Sequence, residues 1–131
     1  MVAVRMSEGE LITLDGRLEE PVWQRAQPAS DFFQQDPDFG GIPTERTEVR
    51  IVYTDDTLYF GVICYVEDTQ TIIVADSRRD SSLTDTDSFQ IIIDTYLDRQ
   101  NGFVFGTNPA GVEYDGQVIH GGQANQLIVS A

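Results

Sequence analysis

Hydrophobic and polar residues alternate along much of the chain with a period of two, which predicts strands. Thr47 to Tyr53 alternates, and Leu58 to Val66 is apolar on both faces, which predicts a hairpin whose second strand is central and covered on both sides. Further strands are predicted at 11–14, 30–34, 89–95, 103–107, 112–118 and 126–130. Turns come about every 8–12 residues, so the pattern predicts an all-β fold, an antiparallel β-sandwich of the immunoglobulin or jelly-roll kind.

One segment departs from this pattern. Glu20 to Ala26 predicts a short helical turn, because Pro21 suits a first helical position, and we expect Trp23 to pack this turn onto the sheet. Asn101-Gly102 predicts a two-residue hairpin turn. No internal repeat or domain boundary is visible, so residues 1–131 are interpreted as one domain.

The charge of the chain excludes several partners. There are 22 acidic residues against 8 cations, all of them Arg, and the net charge is −14. Nucleic acid and anionic membrane surfaces are disfavoured by repulsion, and no apolar run is long enough for membrane insertion. Without Lys there is no Schiff-base or P-loop lysine. Neutral molecules, cations and other proteins remain as partners.

The sequence offers little for catalysis. Cys64 is the only cysteine and alternates with Leu58, Phe60 and Val62, so we expect a buried structural thiol. His120, the only histidine, lies among glycines and is interpreted as a loop residue. No nucleophile elbow or His-rich metal motif is present. The chain is therefore interpreted as a binding protein and not an enzyme.

Acidic residues group in three predicted loops, where their oxygens could bind Ca²⁺. Asp36 and Asp38 lie in a loop rich in Pro and Gly, and no EF-hand pattern is present. The alternative is that these acids are solvated residues of turns. Asp94 has apolar neighbours in its predicted strand, so we expect its charge to have a partner: a metal, Arg99 or backbone N–H groups. The predicted metal ligands are Asp85, Asp87, Asp94, Asp98 and Asn101.

Sugar binding would need exposed aromatic rings and a few planar polar groups. The aromatic candidates could equally be core residues, since Tyr and Phe of β proteins are often buried. The candidates are Tyr96, Tyr114, Phe32, Phe33 and Phe39, with Arg78 and Arg79 as polar partners.

Four motifs in order carry a family resemblance. They are ITLDGRLEEPVW at 12–23, TEVR with DDTLYFGV at 47–62, DSFQIIID at 87–94 and FGTNPAG at 105–111. Together, from 11 to about 118, they resemble family 9 carbohydrate-binding modules. They are most similar to one branch, the N-terminal modules of large uncharacterised bacterial proteins associated with the outer membrane.

The resemblance implies a β-sandwich that binds a polysaccharide or oligosaccharide, often at its reducing end, with structural calcium and no catalysis of its own. It implies an exported protein of the periplasm, outer membrane or extracellular space, whose signal peptide is not in this chain. Three departures concern the sugar site: Thr84 stands at a family Trp, Gln90 at an acid and Gly106 at an Arg. The carbohydrate-binding residues predicted here are Arg78, Arg79, Gln90, Tyr96 and Tyr114.

Other functions and an assembly are also predicted. One alternative is a structural or docking module of an outer-membrane protein that has lost sugar binding. Another is a haem-binding sandwich, for which His120, Met1 and Met6 are the available axial ligands. Because similar modules continue for several more strands, the domain is expected to be truncated at its C-terminus. The apolar run 127–129 then predicts a homodimer through the C-terminal strand.

Overall fold

The structure is a computed structural model that describes residues 1–34, 39–74, 78, 83 and 86–119. The chain forms two compact units, Met1–Glu67 and Asp68–Ala131. Each unit holds one three-stranded sheet, and the described residues contain only one short α-helix and one 3-10 turn, Thr69–Thr71. The fold is all-β, as the alternation predicts. The predicted C-terminal strand 126–130 lies outside the described residues.

The sheet of the first unit contains β1 (Ala3–Arg5), β2 (Thr47–Tyr53) and β3 (Leu58–Cys64), in that order. The predicted hairpin is confirmed: β2 and β3 are antiparallel, with Tyr53 opposite Leu58. Thr54 and Thr57 close its turn through two hydrogen bonds, one from the Thr54 N–H to the Thr57 carbonyl (2.9 Å) and one from the Thr57 N–H to the Thr54 hydroxyl (3.1 Å). β1 pairs parallel to β2.

The position of β3 corrects the prediction of a central strand. Among the described strands β3 lies at the edge and β2 is central. Phe60 and Val62 are half-buried, and Cys64 is exposed, so the expected buried thiol is wrong. An apolar strand pattern does not distinguish a central strand from an edge strand that another part of the protein covers.

The N-terminal segment also differs from the prediction. Residues 11–14 do not form a strand, and Leu11 and Leu14 are exposed, whereas Ala3–Arg5 forms the strand β1. In this segment the Thr13 N–H donates a hydrogen bond to the Glu20 carboxylate (2.8 Å) and not to the backbone of a neighbouring strand. Residues 30–34 form no strand either, and only Ala29 makes an isolated bridge to β2.

The predicted helical turn is confirmed as α1 (Pro21–Arg25), with Pro in its first turn. Trp23 is 4% exposed and packs with Val22, Ala26 and Val52, as expected for a residue that holds the turn on the sheet. Its indole N–H donates to the Glu20 carboxylate at 3.1 Å. The Trp23 ring occupies the space over Gly61 of β3, where a Cβ would meet it at 2.8 Å.

The sheet of the second unit contains β4 (Phe89–Ile93), β5 (Gly102–Thr107) and β6 (Tyr114–Val118), all antiparallel and in that order. Leu83, Val104 and Tyr114 form its buried core. The predicted two-residue turn at Asn101-Gly102 is wrong, because residues 94–101 form a longer loop and Gly102 already belongs to β5. A side chain at Gly102 would meet the Ile93 carbonyl oxygen at 2.7 Å, so close strand approach explains this glycine.

Candidate functional site

The loop 94–101 bonds its own acidic residues. The Asp94 carboxylate accepts the backbone N–H of Asp98 (3.3 Å) and of Arg99 (2.9 Å). Backbone N–H groups, one of the three partners that the sequence left open for Asp94, are thus bonded to its carboxylate. Leu97 and Arg99 adopt positive φ angles of 55° and 59°, which wrap the loop around the carboxylate.

Asp98 caps the second half of this loop. Its carboxylate accepts the Asn101 side-chain N–H₂ (2.6 Å) and the backbone N–H groups of Asn101 and Gln100 (2.8 Å each). The bond from the Asn101 side chain, together with the backbone bonds, lowers the pKa of Asp98. Asp94, Asp98 and Asn101 therefore share one hydrogen-bonded loop, in which the two carboxylates accept N–H donors.

The other predicted metal ligands lie elsewhere. The Asp87 carboxylate accepts the Ile73 N–H at 2.8 Å, and the Asp87 N–H donates to the Ile73 carbonyl at 2.9 Å. Asp87 precedes β4 and Asp94 follows it, so roughly 20 Å of strand separates them. Asp85, Asp36 and Asp38 lie outside the described residues. In the described part of the chain, no three His, Cys, Asp or Glu side chains come together as a group that could hold a metal ion.

Three of the predicted carbohydrate-binding residues, Gln90, Tyr114 and Tyr96, lie on or next to the strands of the second sheet. Gln90 is exposed and lies opposite Gly106, which in turn lies opposite Tyr114. The Tyr114 side chain belongs to the core and is 8% exposed, so it does not present an open stacking platform. Tyr96 is exposed in the loop 94–101, at the opposite end of β4 from Gln90. Arg78 is exposed, whereas Arg79, Thr84 and His120 lie outside the described residues.

A cavity of about 300 Å³ opens where β5 ends and β6 begins. Phe105 is 44% exposed and lies directly opposite Asp115, so a ring and a carboxylate share one face of the sheet. The lining residues are Phe105, Gly106, Thr107, Val112, Glu113, Tyr114 and Asp115. The surface of the cavity is mostly apolar and includes the Phe105 ring, and Thr107, Glu113 and Asp115 are its polar lining residues, a composition typical of ligand pockets.

The turn between β5 and β6 shapes this cavity. The buried Asn108 side chain accepts the N–H groups of Ala110 (3.0 Å) and Val112 (3.1 Å). The Gly111 N–H donates to the Asn108 carbonyl at 2.9 Å, and Gly111 has a φ of 73°, which favours glycine. The Asn-Pro-Ala-Gly motif is therefore a structural turn that places Val112 and Glu113 at the cavity.

Sequence reasoning did not single out Phe105, Thr107, Glu113 or Asp115. A signal was available, because Phe105 and Thr107 alternate on one strand, and Glu113 and Asp115 alternate on the next across a turn. Strand register, which places Phe105 opposite Asp115, is needed to combine the two patterns.

A second charged cluster lies in the first unit. Glu48 is buried on β2, and its carboxylate accepts hydrogen bonds from Arg46 and from Arg50 (2.9 Å). The Arg46 guanidinium lies over the Tyr65 ring, 5.1 Å from its centroid. Two cations around one buried carboxylate satisfy its charge, so this cluster is best explained as structural.

The remaining aromatic candidates are exposed. Phe32, Phe33 and Phe39 belong to a segment that we call the aromatic loop, residues 31–34 and 39–45. Phe33 and Phe39 contact each other edge to face, with ring centroids 6.1 Å apart and an interplanar angle of 77°. Both rings are more than half exposed although they contact each other.

The comparisons with known proteins give no relative: no family model, curated protein or solved structure matches this chain. A search of the described residues for a helix of the length and apolarity that a bilayer crossing requires finds none.

Proposed function

We propose that this chain is a non-catalytic carbohydrate-binding module whose glycan site is the cavity between β5 and β6. The observation that carries the proposal is the pairing of the half-exposed Phe105 ring with Asp115 across the sheet, beside Thr107 and Glu113. A sugar ring offers an apolar C–H face to an aromatic ring and hydroxyl groups to carboxylate and hydroxyl oxygens. The size of the cavity is at the lower end of ligand sites, which suits one or two sugar rings.

The finer fold proposed with this function is a β-sandwich. Each unit contributes a three-stranded sheet, and a sheet of this size needs cover on its apolar faces. In the first unit α1 covers one face, and the opposite face carries Ile51, Phe60 and Val62, for which a second layer is the usual cover. The family resemblance supports the same architecture, together with export to the cell envelope and structural calcium.

Calcium stays a prediction for the loop 94–101. Asp94 and Asp98 place oxygens close together, which suits Ca²⁺, but each already accepts two or more N–H groups. A bound ion would have to share or replace these bonds, so a thermal melt with and without Ca²⁺ is the direct test.

A glycan array probed with the intact chain, in Ca²⁺ and in EDTA, is the primary test of sugar binding. A glycan that binds should lose about tenfold in affinity on Phe105→Ala, since losing one stacked ring costs about 1.4 kcal/mol. Ile92→Ala is the matched control, because Ile92 is an exposed apolar residue on the other face of the same sheet. Cellobiose should bind weakly, because Thr84 replaces the Trp that cellulose-binding members of the resembled family carry.

Two results would contradict the glycan site. Binding that survives Phe105→Ala but is lost on Tyr96→Ala would move the site to the loop 94–101. An array with no bound glycan in either condition would leave the alternative function, a structural or docking module of an outer-membrane protein that has lost sugar binding. That alternative is favoured by a separate observation, the exposed Phe33–Phe39 pair of the aromatic loop.

A further inference from the structure

We propose that the aromatic loop is a docking surface for a protein partner that offers an apolar pocket within a rim of Lys and Arg. The inference deepens the alternative docking function and does not depend on glycan binding in the second unit. It rests on how the loop is held, on what it exposes and on the charge around it.

The aromatic loop is anchored at its base, and its two described segments are hydrogen-bonded to each other. Ala29, just before it, exchanges two backbone hydrogen bonds with Val49 of β2 (2.9 and 3.0 Å). Within the loop the Gln34 N–H donates to the Gly41 carbonyl, and the Gly40 N–H donates to the Gln34 carbonyl, both at 2.8 Å. Gly40 has a φ of 83°, which the closed turn requires. The exposed rings are therefore presented in a defined position, which reduces the entropy lost on binding.

The apolar content of this loop is high and accessible. Phe33 is 57% exposed and Phe39 is 77% exposed, although each contacts the other. Phe32 and Ile42 beside them are exposed as well. Aromatic side chains supply much of the binding energy of protein interfaces when a pocket takes them out of water. The Phe side chain has no polar atom, so these rings gain more from burial in an apolar pocket than from contact with a hydrated surface.

The charge around the rings decides the kind of partner. Asp31 and Glu45 of the loop are exposed acids. No cation occurs between Arg25 and Arg46. A rim of Lys and Arg on the partner complements this charge and speeds association. A second copy of this chain would bring acids against acids, and a bilayer anchor usually adds cations or interfacial Trp and Tyr.

Selection from a library of random displayed peptides on the intact chain tests the proposal. The expected peptides combine Phe, Leu or Trp with Lys or Arg, and a synthetic copy should bind in solution more weakly as salt rises. Phe33→Ser with Phe39→Ser should weaken that binding at least about tenfold. Leu11→Ser with Leu14→Ser is the matched control, because these two are apolar residues of the same unit that are even more exposed than the two Phe side chains. Asp31→Asn with Glu45→Gln should reduce the salt dependence, whereas Glu8→Gln should not.

Several outcomes overturn the proposal. The proposal fails if the selection gives no enrichment, if the enriched peptides lack Lys and Arg, or if they bind the Phe33/Phe39 variant as well as the native chain. Phe-dependent sedimentation with phosphatidylcholine vesicles would assign the loop to membranes, and a Phe-dependent dimer in light scattering would assign it to a second copy. Loss of glycan-array binding in the Phe33/Phe39 variant would assign the aromatic loop to sugar binding. Failure of the glycan proposal alone would leave peptide binding intact, so the two failures are distinguishable.

Discussion

Gly61→Ala tests the packing that joins α1 to the first sheet. Gly61 is buried in β3, opposite Arg50 of β2. A Cβ there would lie 2.8 Å from Cζ3 of Trp23 and 3.0 Å from both terminal methyl groups of Leu18. Carbon atoms pack best about 3.5–4.0 Å apart, so the indole would have to move by roughly 0.7 Å.

The expected cost follows from how tightly Trp23 is held. The ring lies against Val22 and Val52, and its N–H is bonded to Glu20, so it has little freedom to move. Overpacking of a filled core costs about 1–3 kcal/mol. The lower entropy of alanine in the unfolded chain offsets about 0.4–1 kcal/mol of this. We therefore expect Gly61→Ala to lower the free energy of unfolding by about 1–2 kcal/mol.

Urea denaturation followed by tryptophan fluorescence measures this directly, because Trp23 is the only Trp of the chain. Adding Leu18→Ala removes two of the three close contacts, so the double variant should be less destabilised than the sum of the single variants. Cys64→Ala, at an exposed position of the same strand, should change the free energy of unfolding by less than about 0.5 kcal/mol. An unchanged midpoint for Gly61→Ala would show that the Trp23 ring does not cover β3. Strict additivity with Leu18→Ala would show that Leu18 does not pack against Gly61.

Two further predictions concern titration and calcium. The bidentate hydrogen bond from Arg25, together with the Ser7 N–H, lowers the pKa of Glu10 from 4.5 to about 2. The ionised Glu10 carboxylate therefore stabilises the fold above pH 4.5, and this stabilisation is lost as the pH falls toward 2. Urea midpoints should therefore differ between the native chain and Arg25→Gln at neutral pH and converge across that window; a difference that persists at the acid end would contradict the assignment. If the loop 94–101 binds Ca²⁺, a hundredfold excess over Kd should add about 2.7 kcal/mol of stability. The melting temperature should then fall in EDTA, and Asp94→Ala should abolish the response, whereas identical melts would leave only the self-bonded turn.

Local signals predicted local structure well. Pro21 at the start of a helical turn, and the alternation across β2 with a turn before Leu58, were sufficient to place α1 and the first hairpin. These elements are specified by neighbouring residues, through backbone conformation and side-chain period. The apolar neighbours of Asp94 also predicted that its carboxylate has a partner, and the carboxylate accepts a backbone N–H group.

The remaining features depend on contacts that are distant in sequence. β1 is short and mostly exposed, so nothing in Ala3–Arg5 signals that it pairs with β2. Leu11 and Leu14 look like strand residues, but bonds to Glu20 hold this segment in another conformation. The cavity likewise depends on strand register, which a single sequence does not determine.

The parallel pairing of β1 with β2 has a consequence for the order of folding. The β2–β3 hairpin joins neighbouring segments and can form in about 1–10 μs. The ion pair between Arg5 and Asp55 joins residues 50 positions apart, so β1 can dock only after a long loop has closed. Such non-local pairing is slow to form, and few buried side chains hold β1 in place. β1 should therefore be the last strand of the first sheet to gain protection in pulse-labelled hydrogen exchange, and the first to open in the native protein.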